Sequence, residues 1–260
     1  LLIYPSTRPL NRTLEYSSNP YIPGVTGNIK GVLELLREAG LKPENGKYKS
    51  LIELEDQEME KLTTAIMLRI PKSEKAIGDI FLIKMYNKLE DAREMSAKLN
   101  ACSRSGESEI AIQLCMEIPE AKKKAENIHA RYKQSIISAL KFVQEIEHIE
   151  GDGFTIINAR DNIQDTLIGT IASILSNSIL YKEGTIITTM AYYENKIKIS
   201  ARNVGRIGRN VRETLSNVIN QIGGEVGGHK FAAGCIIHQE KEKDFIDSLK
   251  KQFDSELVRF

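Results

Sequence analysis

The stretch Gly223-Gly224-Glu225-Val226-Gly227-Gly228-His229-Lys230-Phe231-Ala232-Ala233-Gly234 decides how this chain is read. Four glycines fall within the six positions 223–228, directly after a helical pattern. Glycine admits positive φ and lets peptide N–H groups approach a ligand with no side chain between. Successive N–H groups exposed in this way form an anion-binding concavity. His229 adds a donor for a phosphate oxygen or a base, and Ala232 and Ala233 keep the following strand free of bulk. A plain helix cap followed by a loose turn would need neither the histidine nor the Ala-Ala-Gly in register. The segment therefore reads as a phosphate-gripping loop that closes onto a strand.

Upstream of this stretch the chain is basic and partly strand-like. From Asn195 to Arg212 there are six basic residues (Lys196, Lys198, Arg202, Arg206, Arg209 and Arg212) and no acid. Net charge over the whole chain is only +1, so it is the local distribution that favours an anionic partner. Lysine and arginine contacts to phosphates give salt-sensitive affinity without sequence preference. Lys196 to Ser200 alternates as a strand, and Thr185 to Tyr193 is rich in β-branched residues, with Glu194-Asn195 as the hairpin turn. Tyr192 and Tyr193 are candidates for base stacking, although an aromatic pair on a strand more often belongs to a core. Phe154 to Ile157 is a further strand, as is Gly234 to Ile237. Helical periodicity covers Thr166–Leu175, Val211–Ile222 and Lys241–Phe253.

The first half reads differently. Leu1 to Tyr4 is a short strand ending at Pro5, followed by turns at Pro9, Pro20, Pro23, Gly24 and Gly27. Helices follow from an N-cap at Asn28 to Gly40, from Asp56 to Leu68, from Tyr86 to Leu99 and from Ser108 to Met116. Glu120 to His148 repeats apolar residues every three or four positions without Gly or Pro, which gives a rod of about 43 Å. It reads as a connector between two lobes, with Gly151-Asp152-Gly153 as the boundary. The expected divisions are 1–118, 119–150 and 151–260. The fold class is α/β: a mostly helical N-terminal part, a long connector helix, then a mixed α/β domain with a small sheet.

Composition closes off other classes. At 260 residues and 41% hydrophobic, the chain can bury a sizeable core. No apolar run approaches the ~20 residues of a membrane span, so no membrane role is expected. Three cysteines (Cys102, Cys115 and Cys235) without C-x-x-C spacing argue against structural zinc and for a reducing cytoplasm. Glu147-His148-x-Glu150-x-Asp152 reads as a solvated linker rather than a ligand set, and His129 and His238 as structural. The chain opens on Leu1 rather than Met, as a fragment or processed chain would.

Gly227-Gly228-His229-x-x-Ala232-Ala233-Gly234 resembles the glycine-glycine-histidine signature of the DHHA1 domain, and Ile199-Ser200-Ala201-Arg202 is similar to that domain's serine-x-arginine strand. Leu99-Asn100-Ala101-Cys102-Ser103-Arg104, with Ala111 and Leu114 beyond it, resembles an element of RecJ-like single-strand exonucleases; the family usually has Gly where Ser103 stands. Ser6-Thr7-Arg8-Pro9-Leu10 and Asn19-Pro20-Tyr21-Ile22-Pro23-Gly24-x-Thr26-Gly27 look like the archaeal branch of those proteins. The resemblance implies a two-metal phosphoesterase using Mn2+ or Mg2+ on DNA or RNA single strands, in which paired metals activate water. It also implies a missing N-terminal DHH lobe. This sequence has no Asp-His-His or Asp-x-Asp, so the family's metal ligands have no counterpart in it and no cleavage is expected of it alone. Carried over by position, Gly227, Gly228, His229 and Lys230 grip phosphate. Arg202 binds the backbone, and Asn100 and Arg104 face the cleft from the other side; Arg206 and Arg209 are added as candidates from the basic run that leads into the glycine stretch. The competing expectation is a non-catalytic replisome component that binds GINS or the replicative helicase. A phosphoesterase for very short or cyclic oligonucleotides and the C-terminal domain of alanyl-tRNA synthetases fit residues 6–10 and 99–104 less well.

Overall fold

The computed structural model describes residues 1–17, 22–70, 76–178 and 180–257. Asn19, Pro20 and Tyr21 of the family-like segment lie outside the described residues. The chain divides into two compact units, Leu1–His129 and Ala130–Phe260.

The first unit is largely helical. α1 (Leu10–Glu15), α2 (Ile29–Glu38) and α3 (Asp56–Met67) bury Leu10, Leu14, Val32, Leu35, Leu36, Leu62 and Ile66 in one core. Asn28 caps α2, its side chain accepting from the N–H groups of Lys30 and Gly31, as the sequence predicts. A hairpin follows, β1 (Leu82–Met85) and β2 (Lys88–Asp91), and then α4 (Ala92–Arg104) and α5 (Ser108–Cys115). With the first turns of α6 (Pro119–Glu145) these bury Met95, Cys102, Leu114, Ala121, Ala125 and Ile128.

Three expectations fail in this half. Leu1 to Tyr4 forms no strand; it is held by Arg93, whose guanidinium donates to the carbonyls of Leu2 and Ile3 at 2.6 and 3.4 Å. Pro9 does not break structure but opens α1, since its fixed φ suits the residue before the first helical turn. The helix expected from Tyr86 begins only at Ala92. Tyr86 and Asn87 take left-handed φ of 49° and 58° and turn the hairpin instead.

The second unit is a six-stranded mixed sheet in the order β3-β4-β5-β6-β8-β7. Its strands are β3 (Ile149–Gly151), β4 (Phe154–Asn158), β5 (Ile186–Tyr193), β6 (Lys196–Asn203), β7 (Glu225–His229) and β8 (Ala232–His238). Only β4 and β5 are parallel, and α7 (Asp165–Ser176) makes the crossover that a parallel pair needs. α8 (Val211–Ile222) and α9 (Glu242–Leu257) cover one face over Phe154, Ile156, Met190, Ile197, Ile199, Cys235 and Ile237. α7 and the later turns of α6 cover the other over Ile157, Ile187 and Ala191. In Gly151-Asp152-Gly153, read as a lobe boundary, Gly151 ends β3 and Asp152-Gly153 turns into β4, with Gly153 at φ +72°.

Candidate nucleic-acid interface

Sheet register brings the expected residues together. Arg202 on β6 pairs with Ala232 on β8, which pairs with His229 on β7. One row further along, Ser200 pairs with Gly234, and Gly234 with Gly227. Directly paired residues share a sheet face, so Arg202, Ala232, His229, Ser200, Gly234 and Gly227 all lie on the α7 side. α7 packs over β5 and β6, and beyond it Gly227, His229 and Ile236 are exposed. The result is a trough. Its floor is Gly234, Gly227 and Ala232, its wall is α7, and Arg202 and His229 stand at one end. At the other end Lys198 is paired with Asp165 at 3.0 Å.

The glycine stretch is not the loop expected from sequence. Glu225 to His229 is an edge strand whose backbone pairs with β8 on one side. Two of the glycines have a local reason. Gly223 ends α8 at φ +84°, and Gly228 holds φ +130° against β8. Gly227 takes no left-handed φ, and a β-carbon there would meet nothing within 4 Å. Nothing in the fold requires Gly227 to be bare.

The polar groups are set by short contacts. His229 Nδ1 accepts the Phe231 N–H at 3.4 Å, which leaves Nε2 as the donor of the neutral ring. Arg202 donates from Nε to Ser173 Oγ at 3.2 Å and from Nη1 to the carbonyls of Ala201 and Ala233. Arg202 thus ties α7 to the sheet while its charge stays at the trough. Lys230 and Phe231 make the β7–β8 turn, with the Lys230 ammonium 5.4 Å from the Phe231 ring centroid.

Sequence reasoning missed the wall. Gly169 and Ser173 of α7 face β6, and a β-carbon on Gly169 would stand 3.5 Å from Ser200 Oγ. A glycine four residues before a serine inside an apolar helical run is the signal, because mid-helix glycine costs about 1 kcal/mol and usually marks close packing.

Other expected residues of the second unit are not brought to this group. Arg209 is buried; it donates to the carbonyls of Gly153 and Asp152 and lies over the Phe253 ring at 5.4 Å. Its role is to fix the β3–β4 turn to α9. Arg209→Ala is expected to destabilise the second unit by about 2 kcal/mol, through lost packing and stranded carbonyls, and to leave the salt slope of oligonucleotide binding unchanged. Urea midpoints and a salt titration check this. Arg206 is exposed in the loop after β6, with its N–H on Glu183. Tyr192 donates to Glu242, and with Tyr193 it lies at the opposite end of β5 from Ile187, the partner of Arg202. Asn100 and Arg104 are exposed on α4 in the first unit, four residues apart and so on one helix face.

Two domain families match this chain: residues 3–80 the DHH-CID domain and residues 151–255 the DHHA1 domain. The chain thus carries a DHH-CID domain and a DHHA1 domain, in a fold similar to that of RecJ. A curated relative, an uncharacterized protein of Methanocaldococcus jannaschii, is 29% identical over 259 residues; these make up 95% of this chain and 53% of that protein. The chain thus spans about half the length of the curated relative it matches. Among solved structures, RecJ from Thermus thermophilus in complex with Mg2+ superposes with TM-score 0.50 at 19% identity, over 88% of this chain and 34% of that one. CDC45 from Entamoeba histolytica superposes with TM-score 0.53 at 10% identity, over 96% of this chain and 56% of that one. RecJ is also solved with Mn2+.

The described residues do not fit such metals. Among them no three or more of His, Cys, Asp and Glu are grouped to hold one ion. The buried carboxylate of Asp91 already spends both oxygens on Ser6 and Arg93. Among the described residues no helix is long and apolar enough to cross a membrane.

Proposed function

We propose that this chain is the strand-holding part of a RecJ-like single-strand-specific exonuclease, with DNA or RNA lying in the trough beside α7. The carrying observation is the row Arg202–Ala232–His229 on an open sheet face whose floor has no side chain at Gly227 or Gly234. A cation and an imidazole N–H donor flank bare backbone, the arrangement that suits a phosphodiester whose neighbours must not be crowded. Mn2+ or Mg2+ would be held by Asp and His residues of a DHH lobe outside these 260 residues, and cleavage would need that lobe. Three unpaired thiols, Cys102, Cys115 and Cys235, suit a reducing cytoplasm.

The test is binding of a labelled ~15-nucleotide single strand, measured against salt, for the parent and His229→Ala. His229 is exposed beside a turn, so its removal spares the fold, whereas Arg202→Ala would also remove a hydrogen bond to Ser173 of α7. Loss of a hydrogen bond to a charged phosphate should weaken the strand about tenfold. A folded parent that binds no strand would sink this reading.

That outcome would favour the second reading, a non-catalytic replisome component that binds GINS or the replicative helicase. One observation supports it: the likeness to CDC45 takes in 96% of this chain.

A further inference from the structure

The loop between β6 and α8, residues 204–210, is built with unusual care for a segment that displays an isoleucine. Beneath it lies the buried carboxamide of Asn203, whose Nδ2 donates to the carbonyls of Val204, Gly205 and Ile207 at 3.0, 3.3 and 2.8 Å. The strand-end pairs Gly184 N–Val204 O and Val204 N–Thr185 O, each 2.8 Å, tie the loop to the segment before β5. Glu183 accepts the Arg206 N–H at 3.2 Å, so that neighbouring acid is already engaged with the loop backbone. At Gly208, with φ +119°, a β-carbon would stand 3.0 Å from Cα of Gly184. The chain then re-enters the fold at buried Arg209.

On this fixed frame Ile207 is 69% exposed, and Leu180, in the segment that leads to Glu183 and Gly184, is 73% exposed. A single exposed apolar residue means little by itself. Here its surroundings give it meaning. Arg206 stands next to it, Lys182 is exposed in the adjoining segment, and among residues 195–212 there is no acid. The loop also leaves the same end of the sheet as the trough. Asn203 follows Arg202 directly, and its N–H donates to the Phe231 carbonyl of the turn after His229 at 2.9 Å. A cationic rim carrying one rigid apolar tip suits a polyanion with exposed flat apolar faces, which describes an unstacked single strand. Isoleucine is among the side chains that proteins press against bases without reading sequence.

We propose that this loop is a second contact for the strand, in which Arg206 takes a backbone phosphate and Ile207 packs on the face of an unstacked base. The proposal rests on the trough reading and extends the strand's path past Arg202. It makes the contact base-dependent but sequence-tolerant, which the trough alone is not.

The experiment uses the full chain with a labelled 15-mer and an abasic strand with the same number of phosphates. The parent is compared with Ile207→Ser, Arg206→Gln and His229→Ala. Ile207→Ser should weaken the ordinary strand about fivefold and leave the abasic strand unchanged, the loss expected for one apolar base contact. Arg206→Gln should weaken both strands alike and flatten the plot of log affinity against log salt by about 0.7, one phosphate's share on a single strand. Two outcomes overturn the loop contact alone. In one, Ile207→Ser matches the parent while His229→Ala binds weakly; the trough then stands, and the apolar tip belongs to a protein partner. In the other, Ile207→Ser weakens both strands equally, which marks a structural effect. A folded parent that binds neither strand overturns the trough and the loop together.

Discussion

Gly228→Ala should cost the second unit about 3 kcal/mol, whereas Gly227→Ala, one residue earlier, should cost its stability nothing. At Gly228 the backbone φ is +130°, a region that a side chain strains. The added β-carbon would stand 2.5 Å from Cα of Ala233 and 2.8 Å from its Cβ, and would press on the Ala232 carbonyl. Those atoms belong to the adjacent strand and cannot withdraw without breaking the β7–β8 ladder. At Gly227 the β-carbon would point into the open trough and meet nothing within 4 Å. If the bare floor exists for a ligand, a methyl group there should weaken the strand about tenfold by displacing a phosphate from its donors. Urea midpoints and strand binding of the two variants separate these roles. Equal stability for both would show that the strained geometry at Gly228 is not present in solution. Full strand affinity in Gly227→Ala would remove the trough floor from the binding site.

The same pair shows what the sequence could and could not convey. Gly-Gly-His-x-x-Ala-Ala-Gly marked the site, but it read as a loop, because Glu225-Val226-Gly227-Gly228-His229 has too few side chains to display a two-residue alternation. Its strand character comes from β8, whose Ala233, Cys235 and Ile237 alternate inward and set the register. Where side chains carried the pattern, the expectation held. β5, β6 and their turn at Glu194-Asn195 and the helix of residues 211–222 follow from it.

Arg209 misled for a different reason. Spacings of three place Arg206, Arg209 and Arg212 on one face only if the backbone is helical, and residues 204–210 are not. The hairpin at Tyr86-Asn87 was hidden because Lys88-Leu89-Glu90-Asp91 continues the helical pattern of α4 backward. The turn there depends on left-handed φ at a tyrosine and an asparagine, a weaker mark than Asn-Gly. The family-like stretch Ser6–Leu10 showed kinship without showing purpose. Its purpose is to meet residues more than eighty positions away, which no local pattern can reveal: Ser6 reaches Asp91, and Arg8 reaches Glu94.

Asp91→Ala should be the most damaging single change in the first unit, at about 3–5 kcal/mol. Asp91 is 0% exposed and caps α4. It accepts from the Ser6 N–H at 3.0 Å, the Arg93 N–H at 2.9 Å, Arg93 Nε at 3.0 Å and Arg93 Nη2 at 2.6 Å. Removing it strands a guanidinium that also holds the Leu2 and Ile3 carbonyls, so the opening segment should detach with it. Burial pushes this carboxyl upward, but the Arg93 and Ser6 hydrogen bonds outweigh burial and hold it down from 3.8 to about 2. A depressed carboxylate pKa gives stability that is complete above pH ~4 and is lost as pH falls through ~2, here roughly 2 kcal/mol. Asp91→Asn keeps the shape and removes the titration. The gap in urea midpoint between parent and Asp91→Asn should therefore narrow from pH 5 to pH 2.5. A gap that stays constant over that range would mean the carboxylate is not held in its charged form by Arg93, and the buried pairing would have to be redrawn.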